Sequence, residues 1–330
     1  MPKAEQLEME IFNIKNEMDF NKIAVKIFHF QYQSNAIYRN YVDNINRDIK
    51  SVEHYTQIPF LPIEFFKSHT VISGEFIPER VFTSSGTTGN DISKHFVKKL
   101  KLYEKSFSES FRHFMGLPES YVIIGLLPSY LEREGSSLIY MTDRLIKMSS
   151  NKASGFYLND YEQLSELLYN LADKNKKTLL LGVTFALLEL ADKFPVKFPG
   201  LKIMETGGMK GRRKEIVREE LHKILQQAFG VDKIYSEYGM TELLSQAYSL
   251  GGGIFSAPPW MKILIRDTDD PFTYINYGKT GGINIIDLAN VYSCSFIETK
   301  DLGKLLPNGD FEVHGRFDNS DVRGCNLLVV

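Results

Sequence analysis

The sequence contains little cysteine and has no marked excess of charge of either sign. Its 330 residues include only Cys294 and Cys325, which excludes a disulfide framework and is typical of a reducing compartment. The 39 basic and 41 acidic side chains leave a formal net charge of −2. A general electrostatic attraction to nucleic acid or to an anionic membrane surface is therefore not indicated.

Long hydrophobic runs, targeting segments and metal-binding spacings are also missing. The most apolar stretch, residues 178–191, is too short to span a bilayer and contains Glu189, so it predicts buried core. Residues 1–6 mix charges and lack the apolar region of a signal peptide. The seven histidines show no paired-ligand spacing, and no zinc site is predicted. We expect a cytoplasmic protein without a membrane span and without a nucleic-acid partner.

The composition is that of a globular protein, with 43% hydrophobic and 24% charged residues. Short apolar runs at 121–127 and 178–182 predict buried strands, and amphipathic segments at 161–174 and 213–229 predict helices. Alternation of strands and helices favours an α/β fold with a largely parallel sheet.

Four regions follow from these patterns. We predict an N-terminal helical region over 1–75, an α/β core over 76–250, a β-rich lobe over 251–318 and a short tail over 319–330. The lobe is indicated by a shift toward Gly, Thr, Asn, Tyr and Ile with few helical stripes.

A loop of small residues directly follows the strand predicted at residues 80–83. Its sequence is Thr83-Ser84-Ser85-Gly86-Thr87-Thr88-Gly89. Small residues let several backbone N–H groups converge, and the hydroxyls add donors, so the loop can hold a phosphate. It is not a Walker A loop, because no Gly-Lys-Ser/Thr closes it. The alternative is an ordinary polar surface loop.

Two further segments have compositions suited to a nucleotide. The strand at 201–204 runs into Glu205-Thr206-Gly207-Gly208, where a double glycine lets the backbone approach a flat ring. Tyr238-Gly239-Met240-Thr241-Glu242 offers a carboxylate that suits a hard cation. Taken singly, the first is equally well a plain strand-to-helix turn, and Glu242 a solvated surface charge.

With Glu298-Thr299-Lys300-Asp301-Leu302-Gly303 and His314-Gly315-Arg316-Phe317-Asp318, these segments resemble, in order, the motifs of the adenylate-forming superfamily. That superfamily includes acyl-CoA synthetases, luciferase and peptide-synthetase adenylation domains. The resemblance implies ATP and Mg²⁺. It assigns the phosphates to residues 83–89, adenine to Gly207, Gly208 and Tyr238 with its neighbour Gly239, the α-phosphate to Thr241, Mg²⁺ to Glu242, the ribose hydroxyls to Asp301, and ribose or phosphate to Arg316.

The sequence departs from the general pattern in two places. It ends at Val330, soon after Asp318, where the superfamily continues into a small domain that carries a catalytic lysine. In addition, Asn90-Asp91-Ile92-Ser93-Lys94 stands where a Pro-Lys pair is usual. We therefore expect the large N-terminal domain of an adenylate-forming enzyme without its small C-terminal domain.

The LuxE-type acyl-protein synthetases, a branch of the superfamily, end in this way and carry an acyl-accepting cysteine near the C-terminus. Residues 321–328, which include Cys325, resemble that ending. A thiolate is a competent nucleophile toward an acyl-adenylate, and Arg323 would favour the thiolate form. The alternative is a buried cysteine on the apolar tail 327–330. Cys294 lies in an alternating pattern over 291–296 that predicts a strand, so we interpret it as structural.

The expected function is that of a ligase of the fatty-acid–protein type. A carboxylic acid, expected to be a fatty acid, would be activated by ATP to acyl-AMP. It would then pass to Cys325 as a thioester for a partner protein such as a reductase or a transferase. Two alternatives remain: transfer of the acyl group to CoA, a carrier or another partner, and a non-catalytic nucleotide-binding subunit.

Overall fold

The computed structural model of the chain describes residues 4–46, 48–84, 92–127, 135–158, 160–207 and 217–317. Within these ranges the helices are α1 (Ala4–Ile11), α2 (Glu17–Ser34), α3 (Ala36–Asn44), α4 (Phe65–Ser68), α5 (Leu100–Met115), α6 (Ser137–Ser149), α7 (Tyr161–Asp173), α8 (Thr184–Lys193) and α9 (Arg218–Phe229).

The strands of the same ranges are β1 (Leu61–Pro62), β2 (Arg80–Thr83), β3 (Lys94–Val97), β4 (Val122–Leu126), β5 (Gly155–Phe156), β6 (Thr178–Gly182), β7 (Leu201–Glu205), β8 (Tyr235–Tyr238), β9 (Ala247–Ser249), β10 (Ile254–Ser256), β11 (Met261–Arg266), β12 (Thr280–Asp287), β13 (Phe296–Leu305) and β14 (Phe311–Arg316).

The helical N-terminal segment consists of α1, α2 and α3. Asn16 caps α2 by accepting a hydrogen bond from the backbone N–H of Asp19 at 2.9 Å. Asn35 ends α2 and caps α3 in the same way, through the N–H of Tyr38 at 3.0 Å. Phe28 of α2 is fully buried in the core.

A single twelve-stranded sheet joins the α/β part of the chain to the β-rich part. Its order is β11-β12-β13-β14-β10-β9-β8-β7-β6-β4-β5, with β1 paired to β13. The strands from β4 to β8 pair in parallel, whereas β8 to β14 pair antiparallel. The predicted succession of a parallel α/β sheet and a β-rich lobe is confirmed.

Strands β2 and β3 form a separate antiparallel hairpin. Thr83 pairs with Lys94, so the predicted phosphate-binding segment lies between two strands that meet at this pair. The hairpin therefore places Thr83, the first residue of that segment, beside Lys94, which follows the segment in the sequence. Among the described helices, none combines the length and the apolar character that crossing a membrane requires.

The predicted strand over 291–296 is wrong except for its last residue, since β13 begins at Phe296. The backbone before it is held in part by a side chain of a distant helix, in addition to the N–H of Asp287 at the end of β12, which donates to the carbonyl of Ser295 at 2.8 Å. The amide of Gln31, on α2, accepts from the N–H of Ser295 at 3.0 Å and is itself buried. Cys294 is fully buried there, and burial raises the pKa of its thiol to about 12, in keeping with its structural interpretation.

Candidate functional site

Three residues far apart in the sequence meet in the structure. Tyr238 is the last residue of β8, Asp301 lies within β13, and Arg316 is the last residue of β14. The hydroxyl of Tyr238 donates a hydrogen bond to Oδ2 of Asp301 at 2.6 Å. Nε of Arg316 lies 3.2 Å from Oδ1 of the same carboxylate. Asp301 and Arg316 are paired residues of neighbouring strands, so the sheet register itself brings them together. Three of the motif residues thus form one hydrogen-bonded cluster.

The ring of Tyr238 is fixed by aromatic packing. It contacts the rings of Phe255 and Phe311 at centroid distances of 5.9 and 5.7 Å. Burial and the adjacent Asp301 carboxylate raise the pKa of the Tyr238 phenol well above its usual value, so it remains a hydrogen-bond donor. In contrast, the Arg316 side chain is 79% exposed and is free to turn toward a ligand.

Glu242 lies close to this cluster but in a different environment. Its side chain is buried, at 5% exposure, and burial raises the pKa of its carboxyl. The Ser93 hydroxyl and the positive charge of Arg316 act to lower the same pKa. The carboxyl therefore sits within the electrostatic reach of Arg316, and a bound cation would favour its charged form.

The backbone around Glu242 is clamped by buried polar side chains. Nδ1 of His95, on β3, lies 2.9 Å from the carbonyl oxygen of Thr241. The amide of Asn290 donates to the carbonyl of Glu242 at 2.6 Å. Burial lowers the pKa of His95 to about 4, so the imidazole is neutral near pH 7 and its Nδ1–H is the donor to the Thr241 carbonyl.

Asp287 holds the next residues of the same loop. Its Oδ2 accepts from the backbone N–H groups of Leu244 and Ser245 at 2.8 and 2.9 Å, and its Oδ1 accepts from the Ser245 hydroxyl. The carboxylate is completely buried, and burial raises its pKa despite these donors. The loop from Thr241 to Ser245 is consequently fixed from within the protein.

The predicted adenine segment begins where β7 ends. Oε2 of Glu205 accepts from the N–H of Gly207 at 2.8 Å, and Gly207 has a φ of +71°, a conformation that favours glycine. Burial acts to raise the pKa of Glu205, but His222 and Arg218 of α9 lower it overall. Arg218 also donates to the carbonyl of Val313 at 2.9 Å, which ties this turn to β14.

Of the predicted phosphate segment, the structure describes the first two residues, Thr83 and Ser84. The N–H of Thr83 donates to the carbonyl of Gly135 at 2.8 Å. The N–H of Ser84 donates to the carbonyl of Ser93 at 3.1 Å, and the N–H of Ser93 donates to the Ser84 hydroxyl at 3.0 Å. Ser84 and Ser93, which flank the rest of the loop in the sequence, are thus joined by two hydrogen bonds.

Several predicted site residues lie outside the described residues: Ser85, Gly86, Thr87, Thr88, Gly89, Gly208 and Cys325. Their roles stay predictions. Of the others, Tyr238, Asp301, Arg316 and Glu242 are near one another, and Gly239 and Thr241 lie on the chain between Tyr238 and Glu242.

His95, Ser93 and Asp287 support the site but were not singled out from the sequence. Glu237 was also missed; it precedes Tyr238 and is half-buried. Burial, with a contribution from the Glu205 carboxylate, raises the pKa of Glu237 to about 8. A carboxyl that is protonated at neutral pH beside a ligand site is a functional candidate. Its sequence signal is weak, since it is one acidic residue at a strand end.

Replacing Glu237 with Gln is expected to stabilise the protein at high pH. The folded-state pKa lies above that of the unfolded chain, so stability is lost as pH rises from about 4.5 to about 8. A neutral amide avoids this loss. We expect the melting temperature of Glu237→Gln to exceed that of wild type by roughly 3 °C at pH 9, with a much smaller gap at pH 5.

The control for this measurement is Glu312→Gln. Contacts with His314 and Lys304 lower the pKa of Glu312, so its removal should produce no stabilisation that grows with pH. A Glu237→Gln difference that stays constant between pH 5 and pH 9 would contradict the raised pKa.

The described residues contain no group of three or more His, Cys, Asp or Glu side chains arranged to hold a metal ion by themselves. Glu242 supplies one carboxylate. This fits Mg²⁺ bound to a nucleotide, which keeps most of its shell as phosphate oxygens and water and takes one or two protein carboxylates.

Known proteins resemble this chain in sequence and in fold. No protein-family model matches the sequence. The long-chain-fatty-acid–luciferin-component ligase of Aliivibrio fischeri is 22% identical over 343 aligned positions, which cover 93% of this chain and 86% of the relative.

Among solved structures, 2-hydroxyisobutyryl-CoA ligase in the postadenylation state with R3-HIB-AMP matches with a TM-score of 0.69 at 11% identity. That match covers 97% of this chain and 69% of the ligase. ATP-bound MatB from Rhodopseudomonas palustris gives a TM-score of 0.55 at 17% identity, over 72% of this chain and 47% of MatB.

The fold is therefore that of the adenylate-forming ligases. Within that class, the chain is similar over nearly its whole length to the luciferin-component ligase, as its motifs indicated. It spans about half the length of MatB and about two thirds of the length of 2-hydroxyisobutyryl-CoA ligase.

Proposed function

We propose that this protein is an ATP-dependent ligase that converts a carboxylic acid to an acyl-adenylate and then transfers the acyl group to Cys325. The observation that carries the proposal is the convergence of Tyr238, Asp301 and Arg316 in one cluster beside Glu242. These residues come from three separate motifs, and their meeting supports a common nucleotide site. The acid is a fatty acid, as is the substrate named for the A. fischeri relative.

Asp301 is the residue that would receive the ribose. Each of its oxygens already accepts one hydrogen bond, from Tyr238 and from Arg316, and each retains a further lone pair for a hydroxyl group. Tyr238 holds the carboxylate in place through a short bond while its ring remains available to adenine. The exposed side chain of Arg316 is able to turn toward the ribose or a phosphate and bind it.

Glu242 and Thr241 would act at the phosphates. Glu242 would hold Mg²⁺, which neutralises charge on the triphosphate when bound. The buried contacts of this loop with His95 and Asn290 keep both residues in position before the nucleotide arrives. The segment 83–89 would supply further donors to the phosphates.

The proposed chemistry has two steps. A carboxylate oxygen of the acid attacks the α-phosphorus of ATP, an O–P bond forms, and the bond to pyrophosphate breaks. The thiolate of Cys325 then attacks the acyl carbonyl, and AMP leaves with the oxygen it gained. The thiol proton passes to solvent or to a nearby base. The thioester would subsequently be consumed by a reductase or a transferase.

The first step can be tested without the second. Adenylation is reversible, so the protein with Mg-ATP, labelled pyrophosphate and a fatty acid should incorporate label into ATP only when the acid is present. A series of acids of increasing chain length identifies the preferred acyl group. If no acid supports pyrophosphate exchange although the protein binds Mg-ATP, a non-catalytic nucleotide-binding subunit would be favoured instead.

Removing only the hydroxyl of Tyr238 is expected to weaken the use of ATP. Tyr238→Phe keeps the ring contacts with Phe255 and Phe311 but leaves Asp301 without its shortest hydrogen bond. A hydrogen bond to a charged group contributes about 1.5–3 kcal/mol, so the KM for ATP should rise about tenfold or more. Exchange kinetics at varied ATP provide the measurement, and an unchanged KM would contradict the proposed role of this pair.

A further inference from the structure

We propose that His95 is a positioning residue that fixes the Thr241–Glu242 loop against the hairpin bearing the phosphate segment. This inference rests on the proposed nucleotide site, because it explains how two of its parts keep their relative geometry. The His95 side chain is buried, so its effect passes through the backbone it contacts.

The primary contact is a single directed hydrogen bond between two distant segments. Nδ1 of His95 lies 2.9 Å from the carbonyl oxygen of Thr241. A carbonyl oxygen can only accept, so the imidazole is the donor. The bond joins residues 146 positions apart in the sequence and crosses from the hairpin to the loop that follows β8.

A second contact strengthens this link, two residues earlier on the chain. The Ser93 hydroxyl interacts with the carboxyl of Glu242. Ser93 is also bonded through its backbone to Ser84, at the base of the phosphate segment. The hairpin segment thus contacts both Thr241 and Glu242, and its residues Ser84 and Ser93, which flank residues 85–91 in the sequence, are bonded to each other.

The surroundings of His95 point to a directional role beyond filling space. The ring packs edge-on against Phe66, with centroids 6.0 Å apart, and this contact fixes its plane. The same position could be filled by Leu, which would preserve burial but would leave the Thr241 carbonyl without its donor. Buried backbone carbonyls without a partner are costly, so the loop would shift to find one.

The test compares His95→Leu with His95→Asn. The Asn amide nitrogen occupies the place of Nδ1 and restores the donor, whereas Leu does not. Val97→Ala is the matched control, because Val97 is buried on the same face of β3 but has no part in the loop contact. Each variant is assayed for acid-dependent pyrophosphate exchange and for amide hydrogen exchange of residues 240–246.

We expect His95→Leu to lower kcat/KM for Mg-ATP about tenfold, the equivalent of one buried hydrogen bond, and to accelerate amide exchange in residues 240–246. His95→Asn should recover to within about threefold of wild type, and Val97→Ala should leave the exchange of that segment unchanged. Equal losses in His95→Leu and His95→Asn, or equal segment exchange in His95→Leu and Val97→Ala, would overturn the inference.

The two readouts also separate this inference from the proposed function. If the wild-type protein shows no acid-dependent pyrophosphate exchange, adenylation fails as its activity. Amide exchange still decides the role of His95 in that case, since it reports the order of the Thr241–Glu242 loop without any turnover. Faster exchange in His95→Leu alone supports the positioning role, and equal exchange in all four proteins refutes it.

Discussion

Cys325→Ser is expected to abolish the covalent acyl adduct completely while leaving pyrophosphate exchange close to the wild-type rate. The adenylation step uses the nucleotide cluster and needs no thiol, whereas the second step needs a thiolate to attack the acyl-adenylate. Intact-protein mass spectrometry after incubation with Mg-ATP and fatty acids measures the adduct. Wild type should gain the mass of one acyl group, and hydroxylamine should remove it, as a thioester requires.

Cys294→Ala is the matched control for this experiment, since it removes the other thiol of the chain. Cys294 is fully buried, and burial raises its thiol pKa to about 12, so it carries almost no thiolate near neutral pH. Its replacement should leave the adduct in place. An adduct of the same mass on Cys325→Ser would show that the acyl group is attached elsewhere. Exchange without any adduct on wild type would favour transfer to CoA or a carrier.

The fold was predictable because its signals are local and repeated. The apolar run at 178–182 became β6 with the same bounds, and the amphipathic segment at 161–174 became α7 with one residue fewer. Each pattern records which face of an element is buried, and that information lies within a few neighbouring residues. The parallel sheet then follows from the alternation of such elements.

Long-range polar contacts were not predictable in the same way. The alternation over 291–296 predicted a strand, yet the N–H of Ser295 donates to the side chain of Gln31 on α2, far away in the sequence. His95 is another example, since its role depends on a carbonyl 146 residues further along the chain. A pattern within one segment contains no information about such partners. Sequence motifs indicated Asp301 and Tyr238, but only the structure shows their direct hydrogen bond.

Glu242→Gln is expected to lower the rate of acid-dependent pyrophosphate exchange about 100- to 1000-fold, the usual cost of removing one charge-stabilising group from a reaction centre. The amide is isosteric but cannot offer a charged oxygen to Mg²⁺. Stability should change in the other direction. Because burial raises the pKa of the Glu242 carboxyl, its charged form is unfavourable in the free protein, and Gln removes that cost. The melting temperature without nucleotide should equal or exceed that of wild type.

Asp287→Asn is expected to behave differently, and the difference distinguishes a structural carboxylate from a cation ligand. Asp287 is also a buried carboxyl with a pKa raised by burial, but it accepts hydrogen bonds from the backbone of Leu244, Ser245 and Ala289. An amide cannot accept all of these hydrogen bonds, so Asp287→Asn should lower both the melting temperature and the rate of pyrophosphate exchange. Glu242→Gln should lower the rate of pyrophosphate exchange without lowering the melting temperature. If Glu242→Gln melted several degrees below wild type, or if excess Mg²⁺ restored its rate fully, Glu242 would be a structural residue instead of a cation ligand. A buried carboxylate whose removal abolishes the reaction without lowering stability is what a cation ligand requires.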